Sequence, residues 1–191
     1  MLTFTLDTNC LIDVAEGRPN ATAVRALADA HTRGEANVAV VAIMASENQK
    51  SGAGLTNFEQ FRTRLDLLSL GHIQILKPMF YWDITFWDWA YWVEPEMVDL
   101  ERNIHHVLFP NIEYLYADFS SACGLDSNAH PVDAKWRNAK CDVQAFWCHA
   151  YRNRSVFVTS DKNFHAASKK PHLVSLSSSR IELPSAAAML L

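Results

Sequence analysis

Residues 2–14, LTFTLDTNCLIDV, decide how this chain is read. Leu2, Phe4 and Leu6 alternate with threonines, the period of a pleated strand. Asp7, Thr8 and Asn9 follow at once, ahead of Leu11, Ile12 and Val14, where a short helix begins. A carboxylate thus stands where a core strand hands over to a helix. The same kind of placement recurs at three more points along the chain.

Working outward, strands and helices alternate. Leu2–Leu6 reads as a strand and Asn9–Glu16 as a helix stopped by Gly17. Asn20–Thr32 carries Ala23, Val24, Leu27 and Ala28 at helical spacing, with Pro19 near its start and Gly34 past its end. Val38–Met44 is a continuous, partly β-branched apolar run, as expected of a strand covered on both faces. Phe58–Leu70 returns to helical period, and Ile73–Leu76 reads as a short strand. Asp133–Arg152 is a helix with Val143, Phe146, Trp147 and Ala150 as its stripe. Ser155–Val158 is an apolar strand running into TSDKNF. Leu173–Leu176 is a further short apolar segment, and a last helix lies near Ser185–Leu191. This alternation predicts a parallel sheet in a three-layer α/β/α sandwich.

Residues 78–125 fit the alternation poorly. They include MFYWDITFWDWAYW, with four of the six tryptophans. Trp82, Phe86, Trp89 and Val93 follow helical spacing, while Trp82, Ile84 and Phe86 alternate like a strand. Both conformations stay open. The expectation is one domain over 1–191, with 78–125 as an insertion or cap within it.

Bulk composition narrows the function classes. With 49% hydrophobic and 20% charged residues, the chain is not a disordered protein. The longest apolar run, Val38 to Ala45, falls short of the ~20 residues that span a bilayer. No basic segment precedes an apolar one at the N-terminus, so no signal peptide is read there and a cytoplasmic protein is expected. A net charge of -4 argues against coating nucleic acid by charge alone. Cys141 and Cys148 lie seven apart and share a helix face, so reduced structural thiols are read in preference to a zinc site with His149.

The acids carry the chemistry. Asp7 closes the first strand, Asp161 follows Val156–Val158, and Glu47 comes soon after Val38–Met44. Asp142 lies in the helix before the 156–158 strand, near its first turns if that helix starts close to Arg137. In an open parallel sheet, ligands gather at the carboxyl ends of strands. Converging acids repel unless a cation or a raised pKa relieves them. Mg²⁺ or Mn²⁺ suits such oxygen donors. Bound metal also screens the acids from a phosphate backbone.

LDTNCLID at 6–13, Glu47 in ASEN, Asp142 in KCDVQAFWCHA and FVTSDKNF at 157–164 together resemble the PIN-domain family, which includes VapC-type toxin ribonucleases. The likeness covers most of the chain outside 78–125. It implies an α/β/α sandwich and metal-dependent endoribonuclease cleavage, with Asp7, Glu47, Asp142 and Asp161 as metal-holding acids. Asn9 and Thr159 resemble residues that position a metal water or orient an acid, and Phe164 a packing anchor. Where the family often has an acid two residues after the position of Asp161, Asn163 stands here, able to coordinate through its carbonyl oxygen without adding charge. Implied partners are an RNA substrate, an antitoxin protein and a second copy of the chain. The alternative reading is a non-catalytic PIN-like module that binds RNA or protein, and a third, within nucleases, is action on structured or flap DNA.

Basic residues within reach of a phosphate backbone include Lys50, Arg62, Arg64, Lys135, Arg137 and Lys140, with Lys140 preferred for its closeness to Asp142. The aromatic stretch 80–92 is expected to pack on the core or a second subunit rather than to stack bases. His105 and His106 are adjacent, so they point in different directions and do not ligate together. Lys169 and Lys170 read as an exposed turn.

Overall fold

The computed structural model describes residues 1–45, 58–82, 84–126 and 132–191. Five strands form one all-parallel sheet: β1 (Thr3–Leu6), β2 (Asn37–Val41), β3 (Gln74–Leu76), β4 (Val156–Val158) and β5 (Arg180–Glu182). Their order across the sheet is β3-β2-β1-β4-β5. The helices are α1 (Thr8–Ala15), α2 (Ala21–Thr32), α3 (Phe58–Leu67), α4 (Pro95–Leu108), α5 (Tyr116–Cys123), α6 (Ala134–Tyr151), α7 (Lys162–His165), α8 (Lys170–Ser177) and α9 (Pro184–Ala188). Helices pack in two groups, α1 with α2 and α9, and α4 with α6 and α8, giving the expected three-layer sandwich.

The sheet forms because its residues are apolar on both faces. Phe4, Thr5 and Leu6 of β1 are all fully buried, as are Val38 to Val41 and Val156 to Val158. A parallel strand covered by helices on both sides needs this continuous burial rather than alternation. Thr5 is the one polar group among them, and its Oγ1 meets His149 Nδ1 of α6 at 3.0 Å. The chain leaves β1 toward β2 and β3, then returns to the opposite flank of β1 as β4. The carboxyl ends of β1 and β4 therefore lie side by side at the point where strand order reverses, the place where such sheets open a crevice.

Two segments depart from the expectations. The run Val38–Met44 is a strand only to Val41, and Ala42–Ala45 tightens into a buried 3₁₀ turn against α6. Leu173–Leu176 belongs to helix α8, and the fifth strand is Arg180–Glu182, whose single fully buried residue, Ile181, left no readable period. Asp142 stands more than two turns inside α6, because that helix starts at Ala134, capped by the Asp133 carboxylate on the amides of Lys135 and Trp136.

The 80–92 stretch is neither a regular helix nor a strand. Met79 bridges Tyr91, and Trp87–Trp89 forms one 3₁₀ turn. Its rings divide. Trp89 stacks on Phe58 at 4.0 Å and Ile84 is buried, whereas Trp82 and Trp92 are 73% and 71% exposed beside Phe80.

Helix α4 is bound to α6 by a buried ion pair. Lys140 Nζ donates to Glu101 Oε1 at 2.9 Å, and both side chains are wholly out of solvent. Tyr81 and Tyr114 hydroxyls donate to Glu101 Oε2. The ammonium also lies 3.7 Å from the Tyr114 ring centroid. Lys140 was expected at a phosphate backbone. It is instead committed to this interior pair, and burial pulls its pKa down against the opposing pull of Glu101. Replacing Lys140→Met leaves an uncompensated buried carboxylate and should cost about 3–5 kcal/mol. Urea unfolding should show that adding Glu101→Gln to Lys140→Met recovers much of this loss. Strictly additive losses would contradict the pairing.

Candidate functional site

Asp7 and Asp161 meet at the reversal point through one hydroxyl. The Asp7 amide donates to Val158 O at 3.0 Å, extending the β1–β4 ladder by one step. Its carboxylate caps α1, with Oδ1 accepting the Thr8 amide at 2.8 Å. Oδ2 accepts from Thr159 Oγ1 at 2.7 Å and from Asn9 Nδ2 at 3.3 Å. Thr159 Oγ1 in turn accepts the Asp161 amide at 3.0 Å. Asp161 caps α7, taking the Asn163 amide at 2.8 Å. Thr159, just beyond β4, is thus the hinge on which both acids are set.

Asp7 is 2% exposed, and burial raises its pKa. The Thr159, Thr8 and Asn9 hydrogen bonds oppose that rise, while the nearby Asp161 charge adds to it. This is the like-charge repulsion expected of converging acids.

A cleft of about 570 Å³ opens at Asp161, lined by Asp142, Asp161, Asn163, Lys135 and Lys169 with the 108–112 segment. Asp142 therefore shares a cavity with Asp161. Lys169 differs from the exposed turn residue that the sequence predicts. It is half-buried, and its Nζ donates to Leu108 O at 2.6 Å and Asn163 Oδ1 at 2.5 Å. The chain thus sets its own cation against the one position in the acid motif that lacks charge. No spacing rule links residue 169 to residue 163 and the end of α4, so the sequence offered no signal for it.

The remaining expectations resolve individually. Glu47 and Lys50 lie outside the described residues. Phe164 is fully buried against Phe146 and Phe157. His105 is buried with Nε2 on Ile112 O at 2.7 Å, while His106 is exposed, so the two diverge. Cys148 Sγ donates to Lys77 O and His149 is held by Thr5 and Ser179, which separates the zinc candidates.

Among the described residues, no three His, Cys, Asp or Glu side chains meet as a ready metal-binding group. The acids fall into two pairs that share Asp161: Asp7 feels its charge, and Asp142 shares the cleft with it, while Asp7 is not part of the cleft wall and the Asn163 carbonyl is taken by Lys169. Carboxylate oxygens of this kind are donors that hard divalent ions such as Mg²⁺ or Mn²⁺ accept. No family model matches the chain, and comparisons with curated proteins and with solved structures likewise return no match. No helix among the described residues is long and apolar enough to cross a membrane.

The raised Asp7 pKa has a signed consequence for stability in chelator. Below about pH 4, near the ordinary aspartate value, Asp7 is protonated folded or unfolded and contributes no difference. As pH rises toward the elevated folded value, the folded state holds its proton longer and loses stability. Melting temperatures should show Asp7→Asn gaining on wild type across that rise and then levelling. The lost acceptor in the variant adds only a pH-independent offset. A difference that is flat or shrinks with pH would contradict the burial argument.

Proposed function

We propose that this chain is a PIN-like, metal-dependent endoribonuclease that hydrolyses RNA phosphodiester bonds. The observation that carries the reading is the pairing of Asp7 and Asp161 through Thr159, beside a cleft shared by Asp161, Asp142 and two lysines. The sequence resemblance supports the same assignment. Asp7, Asp142 and Asp161 would hold Mg²⁺ or Mn²⁺, with Glu47 added by resemblance. Bound there, the ion supplies an acidified water and offsets charge on the scissile phosphate.

The chain's own groups do the rest. Thr159 and Asn9 orient the Asp7 carboxylate and favour its charged form. Lys135 and Lys169 line the cleft and attract a phosphate backbone, the role once expected of Lys140. The exposed rings of Trp82 and Trp92 offer stacking surfaces for unpaired bases, worth ~1–3 kcal/mol each. The toxin role, with an antitoxin partner or a second copy, rests on the resemblance alone.

A second reading, a non-catalytic RNA- or protein-binding module, is favoured by one observation. Lys169 already supplies positive charge at Asn163, where the family often places another acid. Cleavage of mixed RNAs with Mg²⁺, Mn²⁺ or chelator separates the two. The nuclease reading expects metal-dependent cleavage that disappears in Asp7→Asn and Asp161→Asn. Thr159→Val should cost about 10–100-fold and move the acid limb of the pH profile upward, because the strongest bond lowering the Asp7 pKa is gone. Retained RNA binding without cleavage would favour the module. Competition by DNA tests the remaining nuclease alternative.

A further inference from the structure

The opposite end of the sheet has the reverse chemistry. A cleft of about 560 Å³ lies where α6 turns into β4 and α8 into β5. Its lining is Asn153, Arg154, Ser155, Val174, the serines 177–179 and Arg180, with no carboxylate. This is a donor-rich, acid-free wall on a protein whose net charge is -4.

Arg154 makes the cleft more than a basic patch. It is 7% exposed. Its Nη2 donates to Phe4 O at 2.8 Å, Asn37 O at 2.9 Å and Asn37 Oδ1 at 2.8 Å, all neutral acceptors. No described carboxylate pairs with it, and its buried Nε has no partner among the described residues. Burial lowers its pKa to about 10, which still leaves it protonated at neutral pH. Buried charges are ordinarily paired, and an unpaired one with a free donor is costly. The missing complement is an anion. Arg180 is exposed on the same wall, so a second guanidinium can reach the same ligand.

Ser177 and Ser179 hold the wall together and do not react. Ser177 Oγ donates to Leu173 O at 3.0 Å, so the 2.6 Å contact between Ser177 and Ser179 takes its proton from Ser179. His149 Nε2, 2.7 Å from Ser179 Oγ, must then donate to it, and Nδ1 accepts from Thr5. A histidine that donates to the serine cannot serve as its base. Burial, which lowers the His149 pKa to about 3, agrees with this neutral tautomer.

We infer that this cleft binds the phosphate group of a small phosphorylated molecule, held by Arg154 and Arg180. Guanidinium forks match tetrahedral oxyanions, and the volume exceeds what a bare phosphate fills. The site is independent of the acidic cleft and of the nuclease reading.

Calorimetric titration of inorganic phosphate, ribose 5-phosphate and a short RNA into the full chain tests this, at fixed ionic strength in chelator. Saturable binding of phosphate, tighter for ribose 5-phosphate, is expected, with Asp7→Asn unchanged. Arg180→Gln, at an exposed position, should weaken it by about tenfold. Arg154→Lys should weaken it while a melting curve checks that strands β1 and β2 stay joined. Absence of saturation by about 10 mM, indifference to Arg180→Gln, or binding of RNA alone would each overturn the small-molecule site.

Discussion

Asp7 is a carboxylate placed out of water at the end of a fully buried strand, and the functional end of the molecule is arranged around that constraint. A charge in such a place must be hydrogen-bonded, neutralised or met by a cation. Three donors meet it from Thr8, Asn9 and Thr159. One of them, the Thr159 hydroxyl, also takes the Asp161 amide, so satisfying the first acid fixes the second. The repulsion that results is not relieved by any described basic side chain at Asp7 itself. Lys169 places its ammonium on the uncharged Asn163 amide instead. What is left is a buried carboxylate beside a second acid, the arrangement from which the proposed cation site is argued.

Sheet topology explains why these groups meet. Reversal of strand order beside β1 sets the carboxyl ends of β1 and β4 next to each other, with a crevice between the connections that leave them. The amino ends of β4 and β5 gather Arg154 and Arg180. One parallel sheet thus separates an acidic end from a guanidinium end. The interior between them is held in register by Arg154 on β1 and β2 and by His149 between Thr5 and Ser179.

Much of the layered architecture was legible because β2 and β4 are continuous apolar runs, as a doubly covered parallel sheet requires, and β1 alternates Phe4 and Leu6 with threonines. Asp7 and Asp161 could be read because Asp7 directly follows β1 and Asp161 comes three residues after the end of β4. Strand β5 could not, since three residues with one buried side chain carry no period. Lys140 departs from its expected role for a physical reason: proximity to Asp142 in sequence says nothing about which helix face it occupies, and its face turns toward Glu101 on α4. Lys169 and Arg154 were invisible because their roles come from long-range contacts, with Leu108 and with Asn37. The Trp-rich stretch matched two periods at once and adopts neither, its rings being placed by stacking on Phe58 and by exposure.

The central claim is that Asp7 and Asp161 share one divalent cation. Electron paramagnetic resonance of free Mn²⁺, titrated with protein at neutral pH, measures this without any substrate. Uptake of Mn²⁺ by wild type, weakened about tenfold or more in Asp161→Asn and in Asp7→Asn while both variants stay folded, is the predicted result. Equal uptake by all three proteins, or none by wild type, would contradict it.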